Sequence, residues 1–274
     1  MKRRFLMTAA TAGIIAGAMV LLPATTAAQP PPMGGGYTNV IPIPIDEPAT
    51  KAISGALFKP EGAGPFPAVV YLGDCGPIGG NDLSLEKTVV DRNLSKGFAT
   101  LILDSFTPRH QRHGVCDRQN NPVWLGLRAA DAHAAKDALA GMPDVDAKRI
   151  FLLGYDHGGS AALLAADAVT AASHKAKFAG IVAYYPFCGF SCGCAFSVPT
   201  LIMIGDADEL ALADRCASMK DKANTELVIF KGATHRFATP GADGGEDGRR
   251  VAYDAKAAED AQVRADAFIA AHME

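Results

Sequence analysis

The chain has 274 residues, of which 49% are hydrophobic and 20% charged, and its formal net charge is −3. That balance excludes a disordered or collagen-like chain, and it excludes a protein that binds nucleic acid through a basic excess. The length suits one α/β domain able to bury a full core without staples.

In chain order, Lys2, Arg3 and Arg4 come first, followed by an apolar, Ala-rich stretch from Phe5 to Leu22 and small residues around Thr26-Ala27-Ala28. This layout predicts a signal peptide over 1–28, cleaved after Ala28, and hence a periplasmic or secreted protein. Cleavage removes three basic residues and no acids, which leaves a mature charge of −6. An uncleaved anchor is the other reading, and the Thr and Gly in the stretch favour cleavage. No later run is long and apolar enough for a second span. In an oxidising compartment, Cys75, Cys116, Cys188, Cys192, Cys194 and Cys216 are expected to form disulfides, with the pairing left open. The cluster Cys188, Cys192 and Cys194 has no nearby His, so disulfide use is favoured over metal.

Residues 29–49, with Pro and Gly dense from Gln29 to Gly36, read as a flexible lead-in to a single domain over 50–274. Thr50–Phe58 is expected as an antiparallel strand. Short apolar runs follow at Pro67–Leu72, Ala99–Leu103, Arg149–Leu153, Phe178–Tyr184, Thr200–Ile204 and Glu226–Phe230. They lack polar alternation, as strands buried on both faces do. Helices are expected over Leu83–Lys96, Val123–Ala140, Gly158–Ala172, Leu210–Ala223 and Ala255–His272. The alternation predicts an α/β fold, with a mostly parallel sheet and helices on both faces. In such sheets the site lies beyond the carboxyl ends of the strands.

Three of those loops carry chemistry. Gly154-Tyr155-Asp156-His157-Gly158-Gly159 follows one strand run and precedes a helical stretch. This is the small-x-nucleophile-x-small pattern of a nucleophile elbow, with Asp156 at the nucleophile position. The helix start there favours negative charge. The next loop, Gly205–Glu209, offers Asp208, with Asp206 as an alternative acid. The last, Gly232–Phe237, offers His235 as base. The order nucleophile, acid, histidine is that of α/β-hydrolases. Oxyanion-hole donors are expected from the backbone N–H groups of Cys75, after the first strand run, and His157. The basic loop Ser105–Cys116 reads either as a pocket wall, with Arg109 binding a substrate anion, or as a solvated, disulfide-tethered loop. Trp124 reads as packing.

The stretch Asp104–Arg109, the elbow, the acid loop and the histidine loop together resemble the dienelactone hydrolase family. The resemblance implies an α/β-hydrolase fold without a large cap, and hydrolysis of small esters or lactones without cofactor or metal. By position it places nucleophile, acid and base on Asp156, Asp208 and His235. The sequence departs from the family at Gly73-Asp74, where His-Gly is common, and at Asp156, where Ser or Cys is usual. Three readings of Asp156 stay open. It can be a carboxylate nucleophile of the epoxide-hydrolase or dehalogenase kind, suited to sp³ carbon because attack on an ester would give an anhydride. It can be a base or charge stabiliser for water. Or it can mark a non-catalytic binding protein. The segment Phe187–Ser197 is too short for a typical cap, which weighs against the first reading.

Overall fold

The apolar runs assemble into one eight-stranded sheet. A computed structural model describes residues 32–274 apart from 81, 119–120, 175–176, 190–194 and 247. The strands are β1 (Val40–Pro44), β2 (Ala52–Phe58), β3 (Phe66–Leu72), β4 (Ala99–Asp104), β5 (Val145–Tyr155), β6 (Gly180–Tyr184), β7 (Thr200–Gly205) and β8 (Thr225–Phe230). Their spatial order is β1-β2-β4-β3-β5-β6-β7-β8. The pairs β1–β2 and β2–β4 are antiparallel, and the rest of the sheet is parallel. The helices are α1 (Leu83–Ser95), α2 (Pro122–Ala140), α3 (His157–Ala166), α4 (Ala168–Ala172), α5 (Ala213–Ala217) and α6 (Ala255–Ala271). A small hairpin, β9 (Gly244–Glu246) and β10 (Arg249–Val251), precedes α6. Among the described residues, no helix is long and apolar enough to cross a membrane.

Successive strand residues point to opposite faces, so each strand feeds two cores. Ala68, Val70 and Leu72 of β3 pack in the core that also holds Leu125, Ala129 and Leu139 of α2. Val69 and Tyr71 pack in the other core, with Val89 of α1 and Phe268 of α6. Because both faces are covered, polar alternation is absent from the strands.

The local chemistry sets the helix ends. Asn121 caps α2 by accepting from Val123 N at 2.9 Å, with Pro122 at the first helical position. The stretch Gly158–Ala172, expected as one helix, is two. Asp167 leaves helical geometry, and its carboxylate accepts from Val169 N and Thr170 N to start α4. Leu210–Ala223 shortens to α5, with turns from Ser218 onward, while Ala211, Cys216 and Met219 of the stretch pack into the core.

The lead-in reading of 29–49 is corrected. The strand β1 lies inside it, paired along its length with β2. Its entry is tied down where Gly34 N donates to Asp104 Oδ2 at 3.0 Å and Tyr37 Oη donates to Glu86 Oε2 at 2.6 Å. The proposed signal peptide, Cys192 and Cys194 lie outside the described residues. Among the described residues two disulfides are present, Cys75–Cys116 and Cys188–Cys216.

Candidate active site

Three parallel strands end at one point and deliver Asp156, Asp208 and His235. Asp156 sits between β5 and α3 with φ 51° and ψ −117°, a conformation costly for a residue with a Cβ. The neighbours permit it. A Cβ on Gly154 would collide with the Gly158 carbonyl, and a Cβ on Gly158 would collide with the carbonyls of Leu72 and Gly73. The turn is pinned where Asp156 N donates to Tyr184 O at 3.0 Å and Ser160 N donates to Asp156 O at 2.9 Å.

His235 is buried in the loop after β8. Its Nδ1 lies 2.8 Å from Asp208 Oδ2 and its Nε2 lies 3.2 Å from Asp156 Oδ1. Asp208 is oriented in turn: its Oδ1 accepts from Leu210 N at 2.9 Å and Ala211 N at 2.7 Å. Asp206 has another task. Its Oδ1 accepts from Gly232 N and ties the acid loop to the histidine loop.

The imidazole is therefore held between two carboxylates. Burial works to lower its pKa, but the hydrogen bonds to Asp156 and Asp208 and their charges carry it up to about 10. Near neutral pH it is an imidazolium that donates to both acids. Burial works to raise the Asp156 pKa, but the His235 hydrogen bond and charge outweigh it and hold the carboxyl below the usual aspartate value. The His157 backbone N–H also bears on the Asp156 carboxylate and favours its charge.

The Gly73–Cys75 loop flanks the elbow. Cys75 is disulfide-bonded, so its thiol is no nucleophile. Its carbonyl accepts from Val115 N at 2.8 Å, which adds to the tether. Asp74, where the family commonly has Gly, accepts from Gly76 N at 2.7 Å and meets Arg236 Nη1 at 3.3 Å. Arg236 also pairs with Asp82, whose carboxyl is pushed up by burial and then by the Asp74 charge. A cleft of about 690 Å³ opens beside this cluster, bordered by Asp74, Cys75, His113, Arg236 and the Thr239–Gly245 segment. Asp156, Asp208 and His235 are not among the residues that border it.

Arg109 does not border that cleft, which corrects its expected role as a substrate-anion contact. Its guanidinium is taken up by Asp131 at 2.7 and 2.8 Å, by Glu47, and by the Ser105 carbonyl at 2.7 Å. These partners fix the β1–β2 turn against α2, and they exist only once the β1 segment has folded back. Trp124 packs edge-on to Phe106 at 5.9 Å between ring centres.

Arg128 was not singled out from sequence, because a lone Arg in an Ala-rich helix reads as a surface position. It is fully buried, and its head group reaches Gly73 O at 2.8 Å, Asp74 O at 2.9 Å and His157 Nδ1 at 2.7 Å. Its only sequence signal is a charge on the core face of α2, between Leu125 and Ala132. Among the described residues no group of three or more His, Cys, Asp or Glu side chains is placed to hold a metal.

Residues 53–273 match the dienelactone hydrolase family. The chain belongs to that family. Dienelactone hydrolases and esterases are also its neighbours among solved structures. A dienelactone hydrolase-like promiscuous phosphotriesterase from metagenomic libraries superposes with a TM-score of 0.65 at 21% identity, over 86% of this chain and 98% of that one. A dienelactone hydrolase from Anabaena variabilis gives 0.60 at 22% identity, over 84% and 96%. An esterase from Thermogutta terrifontis gives 0.56 at 17% identity, over 82% and 95%. At these identities the likeness speaks for the fold alone. A Mycobacterium tuberculosis protein named as a phosphoribosyl transferase is 29% identical over 149 residues. That match spans 53% of this chain and 31% of the mycobacterial protein. Dienelactone hydrolases are hydrolases, and this chain carries their fold with an aspartate at the elbow.

Proposed function

We propose that the protein is an exported hydrolase of small lactone-like or related electrophiles, with Asp156 as nucleophile, His235 as acid and base, and Asp208 as the group that orients His235. The observation that carries this is the His235 ring set between two carboxylates, Nδ1 2.8 Å from Asp208 and Nε2 3.2 Å from Asp156. A histidine with two carboxylate partners cannot take a proton from water near neutral pH. It becomes a base once Asp156 loses its charge, and forming a covalent ester removes that charge.

The steps balance. An Asp156 oxygen attacks an sp³ carbon of a strained lactone, an epoxide or a halide and forms a C–O bond. The leaving group departs with its electron pair, and the Nε2 proton follows it directly or through solvent. Neutral His235 then takes a proton from water as the oxygen adds to Asp156 Cγ. Collapse breaks the Cγ–O bond to the alkyl group, the alkoxide is protonated, and the new Asp156 carboxyl returns its proton to His235. The oxyanion of this second step develops on Asp156 itself, beside the His157 N–H, with Cys75 N–H as the second donor. Export is supported by the basic, apolar and small-residue leader together with the Cys75–Cys116 and Cys188–Cys216 disulfides.

The test is multiple turnover in H₂¹⁸O with an epoxide, a β-lactone and a haloalkanoate. One ¹⁸O is expected in the Asp156 peptide, and Asp156→Asn is expected to be inactive. Turnover without label in that peptide, or hydrolysis by Asp156→Asn at the wild-type rate, would refute the proposal.

A further inference from the structure

Arg128 is the only described guanidinium whose contacts reach both loops that flank Asp156. Its contacts with the first loop are to carbonyl oxygens, Gly73 O and Asp74 O. The Asp74 carbonyl belongs to the same peptide unit as the Cys75 N–H. A peptide is planar with C=O and N–H pointing opposite ways. A cation seated on that carbonyl therefore turns the Cys75 N–H away from itself and polarises it. On the second loop, Arg128 Nη1 lies 2.7 Å from His157 Nδ1. Arg128 has only donors, so His157 Nδ1 accepts. This fixes the residue whose backbone N–H bears on Asp156.

We infer that Arg128 is the positioning residue of the oxyanion hole, one buried cation that sets and polarises both N–H donors without touching substrate. Other roles are poorly matched. Among the described residues, no carboxylate lies within ion-pair distance of Arg128, and its Nε is buried without a hydrogen-bond partner. It lies 4.8 Å above the Phe106 ring, which packs against it from the side. Burial lowers its pKa to about 10, so it stays charged over the working range. Keeping a buried cation whose contacts are mainly backbone oxygens costs stability, and a well-packed apolar side chain would avoid that cost. Retaining it makes physical sense where its field is used.

The inference rests on the proposed reading of Asp156, and two readouts separate the two. The first is rapid quench and intact-mass analysis of single turnover with 4-nitrostyrene oxide. Forming the alkyl-enzyme needs no oxyanion hole, whereas breaking it does. In Arg128→Met, formation is expected within about threefold of wild type and breakdown about 10- to 100-fold slower, below the 10²–10³ typical for deleting a donor outright. The adduct then accumulates, and Arg128→Lys restores part of the breakdown rate. Equal slowing of both steps would indicate general damage and overturn the inference, as would an unchanged breakdown rate. Absence of any wild-type adduct would sink the Asp156 reading.

The second readout needs no substrate. In ¹⁵N-resolved amide spectra, the Cys75 and His157 N–H resonances are expected to move upfield in both Arg128 variants, while amides of β7 and β8 stay in place. Cys75 and His157 resonances that do not move would overturn the inference, whatever becomes of the nucleophile.

Discussion

Replacing Asp156 by Asn removes one of the two charges that hold the His235 proton and leaves the side chain nearly the same size. At the observed 3.2 Å separation, with an effective dielectric of about 20, the lost attraction is about 5 kcal/mol, or nearly 4 pKa units. The His235 pKa of about 10 should then fall to roughly 6–7, with Asp208 alone supporting the charged form. The assay is an NMR titration of the His235 ring Cε1–H in wild type and Asp156→Asn. Stability should follow with a definite sign. The folded pKa lies above the unfolded value of about 6.5, so the His235 contribution is complete below that pH. In wild type it is lost as pH rises through about 10. In Asp156→Asn the folded and unfolded values nearly coincide and the contribution all but vanishes, so the two denaturation curves should differ most below about pH 6.5 and converge as pH rises towards 10. A ring that still titrates above pH 9 in Asp156→Asn would show that Asp208 holds the proton unaided. Ester formation on Asp156 would then not free His235 to act as a base.

Three further outcomes are expected. Asp156→Ser should gain hydrolysis of p-nitrophenyl acetate and lose epoxide and halide turnover, since a hydroxyl beside His235 and Asp208 is a conventional acyl-transfer nucleophile; a variant inert towards the ester would show that the cleft does not present acyl carbons to the elbow. Gly158→Ala places a methyl against the Leu72 and Gly73 carbonyls and should lower stability by about 1–3 kcal/mol, read as a lower urea midpoint, with activity lost; an unchanged midpoint would mean that α3 can shift freely. Replacing Cys75 and Cys116 together by Ser opens a loop with a sequence separation of 41, for which chain entropy predicts about 4 kcal/mol of destabilisation; a loss below about 1 kcal/mol would show that the unfolded chain is already compact there.

The buried strands and the elbow were legible in the sequence because their signals are local. Apolar runs such as Pro67–Leu72 and glycines at fixed offsets around Asp156 describe their own surroundings. What was hidden depends on partners far along the chain. Strand β1 is short and contains two prolines, which an edge strand tolerates and a propensity reading rejects. The first residues of β5, Val145-Asp146-Ala147-Lys148, look like a polar loop, yet Val145 pairs with Phe66 across a bulge. The roles of Arg109 and Arg128 were beyond reach for the same reason. Each is set by partners brought by other elements, such as Glu47 and Asp131 for one and the carbonyls of Gly73 and Asp74 for the other.

The site's parts lie far apart in the sequence. His235 meets Asp156 across 79 positions, and Arg236 meets Asp74 across 162. Contacts of that span pay their loop-closure entropy before they return anything, so they belong to the late, slow part of assembly. A fragment ending before β8 would carry the strained elbow without His235, the base proposed above. Hydrolytic competence in this architecture therefore belongs to the completed chain, and its recovery during refolding marks the arrival of the last strand.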